Sequence, residues 1–313
     1  MTDATLLGEE NVTVPIPAMM AIRIAAPMIM AATRRRGSTD TGSFAFSPGS
    51  SGWGYEPRRP ACRRIIGEAS IEPALFLFDI DGTILRGSTA VHRDAFAHAY
   101  REVYGLPLSL DGIRAAGRTD TWLLAEPLRR HGLPDEDIWS RLPSAFECMQ
   151  LYVEEHLGDL RGNVLPGVPE VLAELDRRGQ FLGLLTGNLS RIAAAKMRAA
   201  GLARYFDVGG FGEESEIRSA LVPVAISKAA QQAGRRIKPG DVVVIGDTPL
   251  DIEAGREAGT RTVGVATGPY SVGDLEECGA DLALESLDDA HAAVDALMRL
   301  VHRPSGAGDA PLQ

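Results

Sequence analysis

The sequence is poor in the residues that usually announce a transition metal or a cross-linked scaffold. It holds three cysteines, Cys62, Cys148 and Cys278, widely spaced and with no CxxC pair among them. An odd, scattered set excludes a disulfide framework, argues against a zinc site and fits a reducing cytoplasm. The six histidines are equally scattered; none stands at ligand spacing from another, so they read as surface or helix-end residues. Positive charge is also short. Thirty-two Lys and Arg face 42 Asp and Glu, a formal net charge of -10 with a pI near 5.2. A phosphate backbone needs a basic face, so this balance gives no support for a nucleic-acid partner. An acidic protein that handles anions must use local charges or a metal ion.

Uninterrupted apolar runs of membrane-spanning length are missing too. Residues 12–32, VTVPIPAMMAIRIAAPMIMAA, are broken by Pro15, Pro17, Arg23 and Pro27, and Asp3, Glu9 and Glu10 precede them where a signal peptide carries positive charge. The stretch therefore reads as neither signal nor anchor. Residues 34–64 are rich in Gly, Ser, Pro and Arg, a composition that cannot bury enough apolar surface to order itself. The expectation for residues 1–70 is a disordered or loosely attached extension. A start of translation at Met30 is an alternative reading, under which the preceding residues are not part of the protein.

What is present is a chain of 313 residues, 45% hydrophobic, enough for a substantial core. After residue 70 short apolar runs recur: LFLFDI at 75–80, FLGLLT at 181–186, VVVIGD at 242–247 and TVGVAT at 262–267. They are too continuous for one-faced strands and too short for most helices, so they predict parallel strands buried on both faces. Amphipathic stretches alternate with them, at Pro169–Gly179, Ser190–Gly201, Leu221–Gly234 and Pro249–Gly259, each closing on a glycine as helix C-termini often do. The pattern predicts a doubly wound, Rossmann-like α/β fold with a parallel sheet, its core formed by 71–86 and 165–303, with 304–313 a flexible tail. Between the first strand and FLGLLT the patterns are helical, and a structureless loop of that length is implausible. Residues 87–164 therefore read as a helical cap subdomain inserted where ligands of open α/β sheets bind.

The first strand ends on DIDGT, with Asp79 and Asp81 two residues apart. Strand alternation and a turn at Gly82 bring both carboxylates to one pocket. Close carboxylates repel unless a cation or a proton stabilises them, which points to a metal, a shared proton or both; a plain turn with a helix cap is the competing reading. The other strand ends add Thr186-Gly187-Asn188 before a helix start, a position that suits an anion, and Gly246-Asp247 with Asp251 one turn later. Three strand ends thus supply acids or anion binders to one crevice.

In this combination the chain resembles the haloacid dehalogenase superfamily of hydrolases: DIDGT at 79–83, the Thr186 segment and GDTPLD at 246–251 occur in that family's order, with a helical insertion at its usual cap site. The resemblance covers about residues 74–300. It implies Asp79 as nucleophile forming an aspartyl-phosphate and Asp81 as general acid/base. It further implies Mg²⁺ held by the Asp79 carboxylate, the Asp81 carbonyl and Asp247, with Asp251 supporting or joining that shell. Thr186, Gly187 and Asn188 would hold the phosphoryl oxygens. The family's charge-offsetting lysine is replaced by Arg218, which suits an oxyanion; Lys228, further along, reads as an exposed helix lysine.

Within the superfamily, Asp81 argues against dehalogenases, which lack an acid there. The absence of lysine from Arg86 to Arg118 argues against the phosphonatase branch, and short apolar runs argue against the transport ATPases. A phosphosugar mutase shares all four motifs and remains the alternative; His92, near the position of a mutase cap histidine, reads as an ordinary helix-start residue. A scaffold that has lost catalysis is disfavoured by the survival of every acid. Gly117-Arg118-Thr119-Asp120 resembles the cap loop of phosphoglycolate phosphatase-like members, so Arg118 would contact a substrate carboxylate or a second anion and Trp122 would wall the pocket. The same residues also read as a helix start, with Thr119 capping and Asp120 favourable at the dipole. The implied substrate is a small anionic phosphate monoester such as phosphoglycolate.

Overall fold

The computed structural model describes residues 73–302, so the expectations for the N-terminal extension and the C-terminal tail lie outside the described residues. The elements follow the chain as β1 (Leu75–Phe78), α1 (Ala90–Tyr104), α2 (Asp120–Arg130), α3 (Asp135–His156), α4 (Val168–Arg177), β2 (Phe181–Leu185), α5 (Ser190–Ala199), β3 (Val208–Gly210), α6 (Leu221–Ala233), β4 (Val242–Gly246), α7 (Pro249–Glu257), β5 (Arg261–Val265), α8 (Val272–Glu277), β6 (Leu282–Leu284) and α9 (Ala290–Val301). The strands form one parallel sheet in the order β3-β2-β1-β4-β5-β6. The order reverses around β1, which lies between β2 and β4. Such a switch point opens a crevice beyond the C-terminal strand ends, where β1, β2 and β4 deliver their motifs.

Side-chain alternation along β1 builds two separate cores. Phe76 and Phe78 point to one face, with Leu172 of α4, Met197 of α5 and Leu297 of α9. Leu75 and Leu77 point to the other, with Val222 and Ala225 of α6 and Ala254 of α7. Strands buried on both faces are continuously apolar for that reason, as the sequence pattern required. The helices predicted at Pro169, Ser190, Leu221 and Pro249 are α4 to α7, and the glycines that follow them, Gly179, Gly201, Gly234 and Gly259, all take the left-handed conformation.

Helices α1 to α3 have an apolar cluster of their own, in which Phe96, Tyr100, Leu124, Ile138 and Met149 meet Leu189 and Ile192 from the start of α5. Helix α5 thus buries two faces, one against the sheet layer and one against α1–α3. Thr89 and Thr119 cap α1 and α2, their Oγ1 atoms accepting from the backbone N–H of His92 at 3.1 Å and Trp122 at 3.2 Å. No helix among the described residues is long and apolar enough to cross a membrane. Phe76→Ala, in the middle of the central strand, is expected to cost about 3–5 kcal/mol, read as a lower urea midpoint at unchanged slope.

Candidate active site

Asp79 follows β1 directly, and its N–H still pairs with Ile245 O at 2.9 Å, so the ladder fixes its position. Gly82 then turns the chain at φ 110°. Asp247 follows β4 and accepts a hydrogen bond from Thr83 Oγ1 at 3.3 Å. Its carboxylate is packed against two glycines: a Cβ at Gly82 or Gly268 would lie 2.2 or 1.7 Å from Asp247 Oδ2. Asp251, in the first turn of α7, accepts from Thr248 N–H at 3.1 Å and from Thr248 Oγ1 at 2.7 Å. All three acids are buried.

One buried guanidinium answers them. Arg218 Nη2 donates to Asp79 Oδ1 at 2.6 Å and to Leu185 O at 3.1 Å, while Nη1 donates to Gly117 O at 3.1 Å. The same Nη2 forms an ion pair with Asp251 Oδ1 at 2.6 Å, and the buried Arg218 Nε has no hydrogen-bond partner. Lys228 instead pairs with Glu214 and with Gly209 O, away from the acids. Burial pushes Asp79 up to about 7, with Asp251 and Asp81 adding to the rise and Arg218 opposing it. Burial likewise pushes Asp247 up to about 8, reinforced by Asp79 and Asp251.

Asp81 sits in a different charge system. Burial would raise it too, but the Lys196 ammonium, with His92 and Asn188, outweighs burial and holds the carboxyl below its usual range. Lys196 Nζ lies 2.8 and 2.6 Å from the two Asp81 oxygens, and Asn188 Nδ2 donates to Oδ2 at 2.9 Å. Asp79, Asp81, Gly187, Asn188, Arg218 and Asp247 line one side of a cavity of about 480 Å³; His92, Phe96, Arg118 and Leu123 close it from the inserted helices.

The helical insertion meets the crevice through main-chain groups and the Thr121 and Asp120 side chains. Asp120 N–H donates to Gly187 O at 2.7 Å and Thr121 Oγ1 to Gly212 O at 2.5 Å. A Cβ at Gly187 would lie 2.0 Å from Arg118 O, and one at Gly212 would lie 1.9 Å from Gly187 O. Only glycine permits that approach.

Three sequence readings change, and one residue was not read at all. Thr186 does not line the cavity: it is fully buried, and its Oγ1 turns back to accept from Asn188 N–H and Nδ2 at 3.2 and 3.0 Å, so it reaches the site through Asn188. Trp122 lines a neighbouring groove of about 1200 Å³, with the Arg118 guanidinium stacked 4.5 Å from its ring centre. His92 is a helix-start residue but a buried one, between Asp120 Oδ2 at 3.1 Å and Lys196 Nζ at 3.2 Å. Lys196 was missed, because a single lysine in the Ala-rich SRIAAAKMRA reads as solvent-facing; the available signal was its i+4 spacing from Ile192, on the face turned to α1–α3.

Carboxylates at the ends of adjacent parallel strands, with one buried arginine and a roofed cavity, are the site that a doubly wound α/β fold places at its switch point. The haloacid dehalogenase-like hydrolase family model matches residues 73–259. The chain is 33% identical over 200 residues to the N-acetylmuramic acid 6-phosphate phosphatase of Pseudomonas aeruginosa, covering 61% of this chain and 81% of that protein. It is 30% identical over 217 residues to the phosphoglycolate phosphatase of Chromobacterium violaceum, covering 67% and 91%. A solved hydrolase from Pseudomonas syringae shares the fold at TM-score 0.52 and 24% identity, over 72% of this chain and 99% of that one. The chain belongs to the haloacid dehalogenase-like hydrolases and is a phosphoric monoester hydrolase.

The raised acids set the pH dependence of stability. Asp79 and Asp247 rise from 3.8 to about 7 and about 8 on folding, so between about pH 4 and pH 8 the native chain binds more protons than the unfolded one. In chelator-treated buffer, stability should therefore fall as pH rises through that window. Urea melts at intervals from pH 4.5 to 8 measure it, and Asp247→Asn should flatten the slope; an equal slope in both proteins refutes the assignment.

Proposed function

We propose that the protein is a Mg²⁺-dependent phosphatase of a small anionic phosphate monoester, phosphoglycolate-like, acting through an aspartyl-phosphate on Asp79. The observation that carries this reading is the Asp79–Arg218 pair at the cavity end of β1. A buried guanidinium 2.6 Å from a carboxylate keeps positive charge where phosphoryl oxygens arrive, and leaves the second carboxylate oxygen for attack.

Among the described residues no three His, Cys, Asp or Glu side chains are gathered as a metal cluster. The donor chemistry nevertheless fits a hard divalent cation. Three buried acids share a single arginine, and a Mg²⁺ site needs only one or two carboxylates, with carbonyl and water oxygens completing it. The Asp79 and Asp247 carboxylates and the Asp81 carbonyl would hold it; Asp251, committed to Thr248 and Arg218, would support it. Bound there, the cation supplies charge that offsets the phosphoryl and carboxylate oxygens.

In the first half-reaction an Asp79 oxygen bonds to phosphorus, the ester P–O bond breaks, and the leaving oxygen takes a proton from Asp81. In the second, Asp81 takes a proton from water, the water oxygen bonds to phosphorus, and the Asp79–phosphorus bond breaks to release phosphate. Asp81 as found, ionised against Lys196, is set for the second. Asn188 and the Gly187 main chain border the phosphoryl position. Arg118, at the roof, supports an anionic leaving group such as a carboxylate. The scattered cysteines support a cytoplasmic setting.

Purified protein should release phosphate from p-nitrophenyl phosphate and phosphoglycolate, lose that activity on chelation and regain it with Mg²⁺. Asp79→Asn should reduce turnover by about a thousandfold or more. Retained activity in Asp79→Asn sinks the reading, and hexose-phosphate isomerisation outpacing phosphate release replaces it with a mutase.

A further inference from the structure

Lys196 has entered so far only as the charge beside Asp81, yet its side chain is wholly buried on the helix wedged between the sheet layer and α1–α3. A buried ammonium persists only when its protons are accounted for. Here all three are: Nζ faces Asp81 Oδ1 at 2.8 Å, Asp81 Oδ2 at 2.6 Å and His92 Nδ1 at 3.2 Å. Because His92 Nδ1 accepts, its proton sits on Nε2, which donates to Asp120 Oδ2 at 3.1 Å. Asp120 Oδ2 in turn accepts the Leu189 N–H at 2.8 Å, at the start of α5. The chain of donors therefore crosses twice between the α/β core and the inserted helices. Its last contact fixes both oxygens of a carboxylate in the cavity.

We propose that Lys196 is a positioning residue that fixes the aim of the Asp81 carboxylate for the water-activating step, and that the His92–Asp120 pair holds Lys196 there while α1 and α2 are seated on the core. The inference rests on the phosphatase reading above. One ammonium bridging both oxygens sets the plane and direction of a carboxylate, and a misdirected base loses much of its effect on the rate. In that step the water proton passes to Asp81, the water oxygen bonds to phosphorus, and the electron pair of the breaking bond returns to the Asp79 carboxylate.

The test uses p-nitrophenyl phosphate with Mg²⁺ in a stopped-flow instrument. Nitrophenolate leaves without a proton, so the first half-reaction does not need the aim of Asp81 and the second does. Lys196→Met should keep a burst of one nitrophenolate per enzyme at near the wild-type rate, then turn over about tenfold or more slowly. Lys196→Arg, whose guanidinium can hold both oxygens, should recover part of the steady rate. His92→Ala should show the same pattern at smaller size, and it decides the matter if Lys196→Met does not fold. Burst and steady rates falling together, or neither changing, overturns the proposal. A wild-type enzyme that releases no nitrophenolate removes the phosphatase reading itself, and this inference with it.

Discussion

The structure depends on one buried ion pair, that of Arg218 with Asp79. Three acids, Asp79, Asp247 and Asp251, are drawn to the C-terminal end of the sheet by β1, β4 and the first turn of α7, and the fold buries all of them. Concentrating carboxylates in this way is unfavourable, and a single guanidinium offsets only part of it. Arg218 also ties the motif ends together, touching Leu185 O at the end of β2 and Gly117 O of the inserted segment. The unmet negative charge is the physical reason the proposed divalent cation would suit this crevice, and only with such a cation would the charge there favour a phosphoryl group.

Asp79 and Asp81 differ by two positions and belong to opposite electrostatic regimes. Asp79 shares its surroundings with acids and is pushed upward, while Asp81 faces Lys196 and is held down. Environments that drive two neighbouring carboxyls apart let them take different parts, as the proposed division between nucleophile and proton carrier requires. Here the separation comes from two cations on different elements, Arg218 ahead of α6 and Lys196 within α5.

Most of the scaffold was legible because its strands are buried on both faces and so read as continuous apolar runs. The edge strands were not: VGG at β3 and LAL at β6 are three residues each and carry no pattern of their own. The acids were legible because strand ends and glycine turns mark them. Arg218 was legible only by its place ahead of α6. Lys196, His92 and Asp120 were not read as a unit, since each is unremarkable in its own helix and their meeting is purely tertiary. Thr186 was placed at the correct strand end but with its hydroxyl facing the wrong way, a choice decided by the local bond to Asn188.

The close passage of Arg118, Gly187 and Gly212 sets the height of the chamber. Main chain from the inserted segment rests on main chain of the core, at separations that admit no Cβ. Floor and roof are therefore spaced by peptide groups, and the spacing is kept as long as Gly187 and Gly212 stay glycine. The roof residues Phe96, Arg118 and Leu123 can vary in size or charge while the cavity keeps its depth, so under the proposed function selectivity for the leaving group would be separable from the geometry of transfer.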